Sequence, residues 1–113
     1  MHRCVSVVAV VLLAGCASAG DTARQKPTFV ASTAKTDREY GNCVLGQWQA
    51  ISPAAHMVEM ADGFQVIVPN ATTPVEELLV IRSRANGADV ALHEHLSIVA
   101  MRAYRETAKA CLS

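Results

Sequence analysis

The apolar run from Val5 to Leu13, broken only by Ser6 and preceded by the positive start Met1-His2-Arg3, constrains everything that follows it. A short basic start, an apolar stretch and then small residues, here Ala14 and Gly15, make a secretory signal peptide. A transmembrane helix needs about 20 apolar residues to cross the hydrocarbon layer, so this run is too short to remain as a span. Export puts any surviving cysteines in an oxidising compartment. It also leaves a small remainder to fold, near the size at which a single core is marginal and a covalent brace is expected.

The segment Leu13-Ala14-Gly15-Cys16 places an aliphatic residue and two small ones directly before a cysteine. It resembles the lipobox of bacterial lipoproteins, and the resemblance covers the leader alone. It implies removal of residues 1–15, a diacylglycerol on the Cys16 sulfur and usually a third acyl chain on its amine. Each buried methylene contributes about 0.8 kcal/mol, so two or three chains hold a protein on a bilayer stably. In Gram-negative lipoproteins an Asp after the lipidated cysteine tends to retain the protein at the inner membrane. Ala17 and Ser18 stand there instead, which favours the outer membrane with the domain facing the periplasm. The alternative is an ordinary signal peptide cut near Ala17-Ser18-Ala19, which leaves a soluble periplasmic protein and gives Cys16 no role.

From Cys16 to Lys35 the chain is small, polar and Pro-containing, with Phe29 and Val30 its only large apolar residues. Residues 16–35 are therefore expected to be a lipidated cysteine and a flexible tether, of roughly 25 Å end-to-end distance, unless Phe29-Val30 docks on the domain. The folded domain is expected at 36–113. Removing Arg3 with the leader leaves nine basic against ten acidic residues, so no basic stripe marks the chain for nucleic acid. Aromatic residues are only 4% of the chain, which predicts an aliphatic core.

Within 36–113 the pattern predicts α-β-β-β-β-α. Thr36-Asp37-Arg38-Glu39 is an S/T-x-x-E helix start. Tyr40, Cys43, Val44 and Trp48 then recur at helical spacing, Gly41 and Gly46 weaken the helix, and Pro53 closes it. His56 to Ala61 and Phe64 to Val68 flank Asp62-Gly63, a pair suited to a type I′ hairpin turn. Val75 to Ser83 and Asp89 to His95 make two more strands around Asn86-Gly87. Leu78 and Val80 fall on one face of the third strand and Leu79 and Ile81 on the other, so both faces are expected to be covered. From about Ser97 to Leu112 an amphipathic helix lines up Leu96, Val99, Ala100, Ala103, Tyr104, Ala108 and Cys111. The expected fold is α+β, a four-stranded antiparallel sheet with an N-terminal and a C-terminal helix on one face.

Of four cysteines, Cys4 leaves with the leader and Cys16 takes the lipid. Cys43 and Cys111 remain, each on the apolar face of its helix, and are expected to form one disulfide. A redox or nucleophilic role would want a Cys-x-x-Cys pair or a partner histidine, and neither is present.

Chemistry is thinly signalled. His93 and His95 alternate along a strand, so both imidazoles could reach one metal with His56 as a third ligand, but about three ligands are needed and nothing fixes the third. Two surface histidines are the plainer expectation, with no metal or other cofactor. Glu76 and Glu77 are adjacent, face opposite ways on a strand, and are expected to keep its start soluble. Arg102, Arg105, Glu106 and Lys109 read as the solvated side of the last helix, and Trp48 as core. No His-Glu-x-x-His, Gly-x-Ser-x-Gly or phosphate-binding glycine loop occurs, so the domain is not expected to be an enzyme. The expected role is a membrane-anchored, non-enzymatic interaction or accessory module with an unidentified envelope protein as partner. An inhibitor or immunity-type protein acting on a periplasmic hydrolase or toxin is the alternative, and a metal-binding module at His93 and His95 a third.

Overall fold

A computed structural model of the chain describes residues 26–69, 77–94 and 101–113. The element order is β1 (Phe29–Thr33), α1 (Asp37–Ile51), β2 (His56–Met60), β3 (Gly63–Val68), β4 (Glu77–Arg84), β5 (Gly87–Glu94) and α2 (Met101–Ala110). The fold is α+β with two helices and one disulfide, but the antiparallel sheet has five strands, in the order β1-β5-β4-β3-β2. The additional strand is Phe-Val-Ala-Ser-Thr, within the stretch expected to be tether. Phe29, Ala31 and Thr33 pair with Leu92, Val90 and Ala88, so alternate residues of β1 reach the core while Val30 and Ser32 face outward.

The rest of the sheet is a meander. Its side-chain alternation sends Phe64, Val66, Val68, Leu79, Ile81, Val90 and Leu92 into the core beneath the helices. Leu78 is also fully buried, on the opposite face, so β4 is covered on both sides at that position. The hairpin turns sit one residue earlier than the Asp-Gly and Asn-Gly pairs suggest. Met60 pairs with Gly63 and Arg84 with Gly87, leaving Ala61-Asp62 and Ala85-Asn86 as the turn residues. Each glycine serves a close approach of strands. A Cβ on Gly63 would lie 1.9 Å from the Ile81 carbonyl oxygen, and one on Gly87, where φ is +141°, 1.9 Å from that of Thr33.

Helix α1 begins as the capping pattern predicts. The Thr36 hydroxyl oxygen accepts the Glu39 N–H at 3.1 Å, and the helix ends where the Ser52 N–H donates to the Trp48 carbonyl at 2.7 Å. Its buried face is Tyr40, Gly41, Val44 and Trp48. Gly41 is there because the helix lies close on the sheet, where a Cβ would meet the Met57 sulfur at 2.7 Å. Gly46 has open space around it.

Helix α2 packs beside α1 on the same face. The Trp48 and Tyr104 rings meet edge to face with centroids 5.3 Å apart. The Tyr40 hydroxyl donates to the Ala108 carbonyl at 2.7 Å, and the Trp48 Nε1–H donates to the Tyr104 carbonyl at 3.2 Å. Burial pushes the Tyr40 phenol well above its ordinary pKa, so it stays a donor. Cys43 and Cys111 are joined, with Cα atoms 5.9 Å apart and a separation of 68 positions in sequence. Few as they are, four of the five aromatic residues are buried, Tyr40, Trp48, Phe64 and Tyr104. The core is aliphatic, Phe64 apart, where sheet strands meet and aromatic where the two helices meet. Ala103, expected on the apolar stripe, is exposed, while Leu96, Val99 and Ala100 lie outside the described residues.

Two consequences are measurable. Gly46→Ala is expected to stabilise the protein by about 0.5–1 kcal/mol by removing backbone freedom from the unfolded chain, and Gly41→Ala to stabilise it less, because the Met57 and Ile81 side chains must shift to admit the methyl group, both read from urea melts. Replacing Cys43 and Cys111 together by Ala is expected to cost roughly 4 kcal/mol, the loop-closure entropy of so long a span, seen as a lowered urea midpoint with the fold otherwise intact.

Candidate functional site

Alternation along the central strands gathers charge at one end of the sheet. In β5, Leu92 points beneath the helices, so Glu94 does too. In β4, Leu79 and Ile81 set the same direction for Glu77. The register puts Glu77 between Val68 and Glu94. Glu77 is fully buried and the Glu94 side chain is 1% exposed. The expectation that Glu77 serves to keep a strand start soluble is thus corrected, because β4 is a central strand whose first residue lies on the helix-covered face. Glu76 lies outside the described residues.

A buried carboxylate needs a partner, since an unpaired charge out of water is costly. Arg105 supplies it from α2, its Nε and Nη2 donating to Glu94 Oε1 at 2.9 and 2.6 Å. The Thr28 hydroxyl, just before β1, donates to the same oxygen. Glu94 Oε2 has no hydrogen-bond partner among the described residues. Arg105 therefore departs from the solvated helix side expected for it. Of the other charges expected there, Lys109 places its ammonium 5.8 Å from the Phe29 ring centroid, a cation–π contact between α2 and β1.

The histidines do not converge. His93 is buried, on the helix-free face of the sheet. His56 belongs to the same cross-strand row, but Ile67 and Leu78 stand between them, and three strand spacings amount to about 14 Å. His56 cannot join His93 on one ion. His95 lies outside the described residues, and among those residues no three His, Cys, Asp or Glu side chains come together to hold a metal. Cys16 also lies outside them. No described helix is long and apolar enough to cross a membrane.

The sequence held the signal for the Glu94 and Glu77 positions, because period-two alternation with Leu92 and with Leu79 and Ile81 puts both carboxylates on the core side. Arg105 had no such signal, since its partner is eleven positions away on another element.

The Glu94–Arg105 pair is expected to fasten α2 to the sheet. Arg105→Ala should cost about 2–3 kcal/mol, a figure reduced from that of a fully buried pair because Arg105 is a third exposed. Adding Glu94→Leu should recover part of the loss by removing the stranded carboxylate. Urea unfolding of the two variants checks both statements.

No family model matches the chain, and comparison with curated proteins and with solved structures finds no match.

Proposed function

We propose that the chain is a lipoprotein precursor whose mature domain is held at a bacterial envelope membrane by acyl chains on Cys16 and serves there as a non-enzymatic interaction or accessory module. The observation that carries this reading is the sequence of the leader, with a basic start, the Val5–Leu13 apolar run and Leu13-Ala14-Gly15-Cys16 in immediate succession. Ala17 and Ser18 after the cysteine favour the outer membrane. The Cys43–Cys111 bridge supports an exported destination, since such bonds persist in oxidising compartments.

The domain's chemistry agrees with a binding or accessory role. The buried Glu94 is committed to Arg105, and among the described residues the ion pairs Arg82–Asp62 and Arg84–Asp89 are exposed. A partner in the envelope is the counterpart such a module needs.

The test is intact mass and membrane fractionation of the native protein beside a Cys16→Ser variant. The wild type is expected to carry acyl mass on an N-terminal Cys16 and to sediment with the outer membrane, while the variant does neither. Two soluble proteins with unmodified N-termini at Ala17 or beyond would overturn the proposal.

A further inference from the structure

Three of the four large hydrophobic side chains exposed among the described residues, Val30, Val58 and Met60, lie on one surface. It is the face of the sheet turned away from both helices. Strand register makes this explicit, because Val30 pairs with Ala91, Ala91 with Val80, Val80 with Gln65 and Gln65 with Val58, one row across all five strands. The row beside it toward the hairpin turns runs Met60, Gly63, Arg82, Asp89, Ser32. Arg84 follows one alternation further along β4. The surface thus has Val58, Val80, Ala91 and Val30 across its middle, with Gln65 among them, and along one margin two guanidinium groups each beside a carboxylate. The ion pairs are long and exposed, Arg82 to Asp62 at 3.7 Å and Arg84 to Asp89 at 3.5 Å, so both cations also face solvent. Contiguous exposed apolar surface with a polar rim marks a contact site for protein or membrane.

The point at which the chain enters the fold decides between these occupants. Pro27 forms part of the wall of a groove of about 400 Å³ on this face, together with Val30, Val80, Ala91 and His93 and the charged pair Arg82 and Asp89. Cys16 precedes Pro27 by eleven residues, and a chain of that length reaches at most ~40 Å. An anchor rooted on the rim of this face brings it to the bilayer with the least chain. Presenting the helices instead would spend part of that reach passing the sheet edge and the helix layer, about 10 Å thick.

We propose that the helix-free face is a lipid-facing surface. In the anchored protein it rests on the bilayer interface, with Val30, Val58 and Met60 among the headgroups and Arg82 and Arg84 against lipid phosphates. Interfacial binding of this kind grows with buried apolar area and with attraction to anionic lipid. The inference rests on lipid anchoring at Cys16.

The experiment reconstitutes the mature, acylated protein carrying Val58→Trp, Val30→Trp or the control Glu106→Trp on the exposed side of α2. The vesicles contain phosphatidylethanolamine and phosphatidylglycerol, with or without chain-brominated lipid. Trp48, fully buried, is a common background. Flotation and intact mass are read on the same samples. The expected result is quenching by bromine and a blue shift for Val58→Trp and Val30→Trp, from opposite edges of the sheet, with neither change for Glu106→Trp. Acylated, floating protein with no quenching at either edge overturns lipid docking and leaves the anchor standing. A blue shift without quenching, with a crosslinked second copy or another protein on the face, also overturns it. A chain without acyl mass that does not float overturns anchor and docking together.

Discussion

The return of the chain between the two edges of the sheet is the constraint on which the rest of the molecule depends. Strand β1 lies at one edge and β2 at the other, and the antiparallel order makes the two parallel. The chain must therefore travel back from the end of β1 to the start of β2, a lateral distance of about 19 Å at the usual strand spacing. Arg38 already stands over the Phe64 ring of β3, and Gly41 faces Met57 of β2 and Ile81 of β4. The 15 residues of α1 thus make the return over β3 and its two neighbours. That explains why its inward face is a fully buried Tyr40, Val44 and Trp48, and why the position beside Tyr40 is Gly41, where the helix comes within van der Waals distance of Met57 and Ile81.

The second helix is held by different means. Among its described side chains from Arg102 on, Tyr104 and Ala108 are the buried apolar ones, with Cys111 just beyond its end. Specific bonds add to these contacts. The Tyr40 hydroxyl and the Trp48 indole donate to main-chain carbonyls of α2, Arg105 grips Glu94, and the disulfide fixes the end. The last residues are tied down as well, with Thr33 donating to the Leu112 carbonyl and Lys35 to that of Cys111. A short helix with a narrow apolar side gains fixed orientation from such contacts, because hydrogen bonds and an ion pair in a water-poor site are satisfied in one geometry only. The cost is that each depends on its partner, as the stranded carboxylate of an Arg105 variant would show.

How much of this was legible in the sequence follows from the distance over which each interaction acts. Local chemistry was readable. Thr36 and Glu39 marked the start of α1, three- and four-residue spacing marked Tyr40, Val44 and Trp48 as buried, and the turn residues separated the strands of the meander. The expectation of an exported chain with only two cysteines left over pointed to the Cys43–Cys111 bond. Strand β1 was not readable as a strand, because five residues with small or polar side chains at three positions resemble a linker until β5, nearly 60 residues later, supplies the pairing partner. β-Structure of this kind is fixed by cross-strand context more than by intrinsic preference. Gly63 and Gly87 misled for a related reason. Each was assigned to the turn by its neighbour, yet its necessity comes from a carbonyl on the next strand over. In the candidate site, the inward direction of Glu77 and Glu94 was present in the alternation, while Arg105 was hidden, since nothing local joins a cation on a helix to a strand eleven residues earlier.

The two faces of the sheet carry unequal demands, and that inequality connects fold to role. Beneath the helices, the side chains form a continuous core, and of the charged groups buried there Glu94 holds α2 through Arg105. On the other face, Leu78 and His93 are buried while Val58 and Val30 are exposed in the adjoining row. A five-stranded antiparallel sheet with helices on one side needs no apolar residues at such outward positions for its own stability, and polar ones are the ordinary choice. Val30 makes the point most sharply. It is 66% exposed on an edge strand whose inward residues already provide the docking contacts, and it stands beside Pro27, where the chain enters the fold. Its side chain adds little to the folded domain, so the reason for an apolar residue there is best sought in what the domain meets on that side.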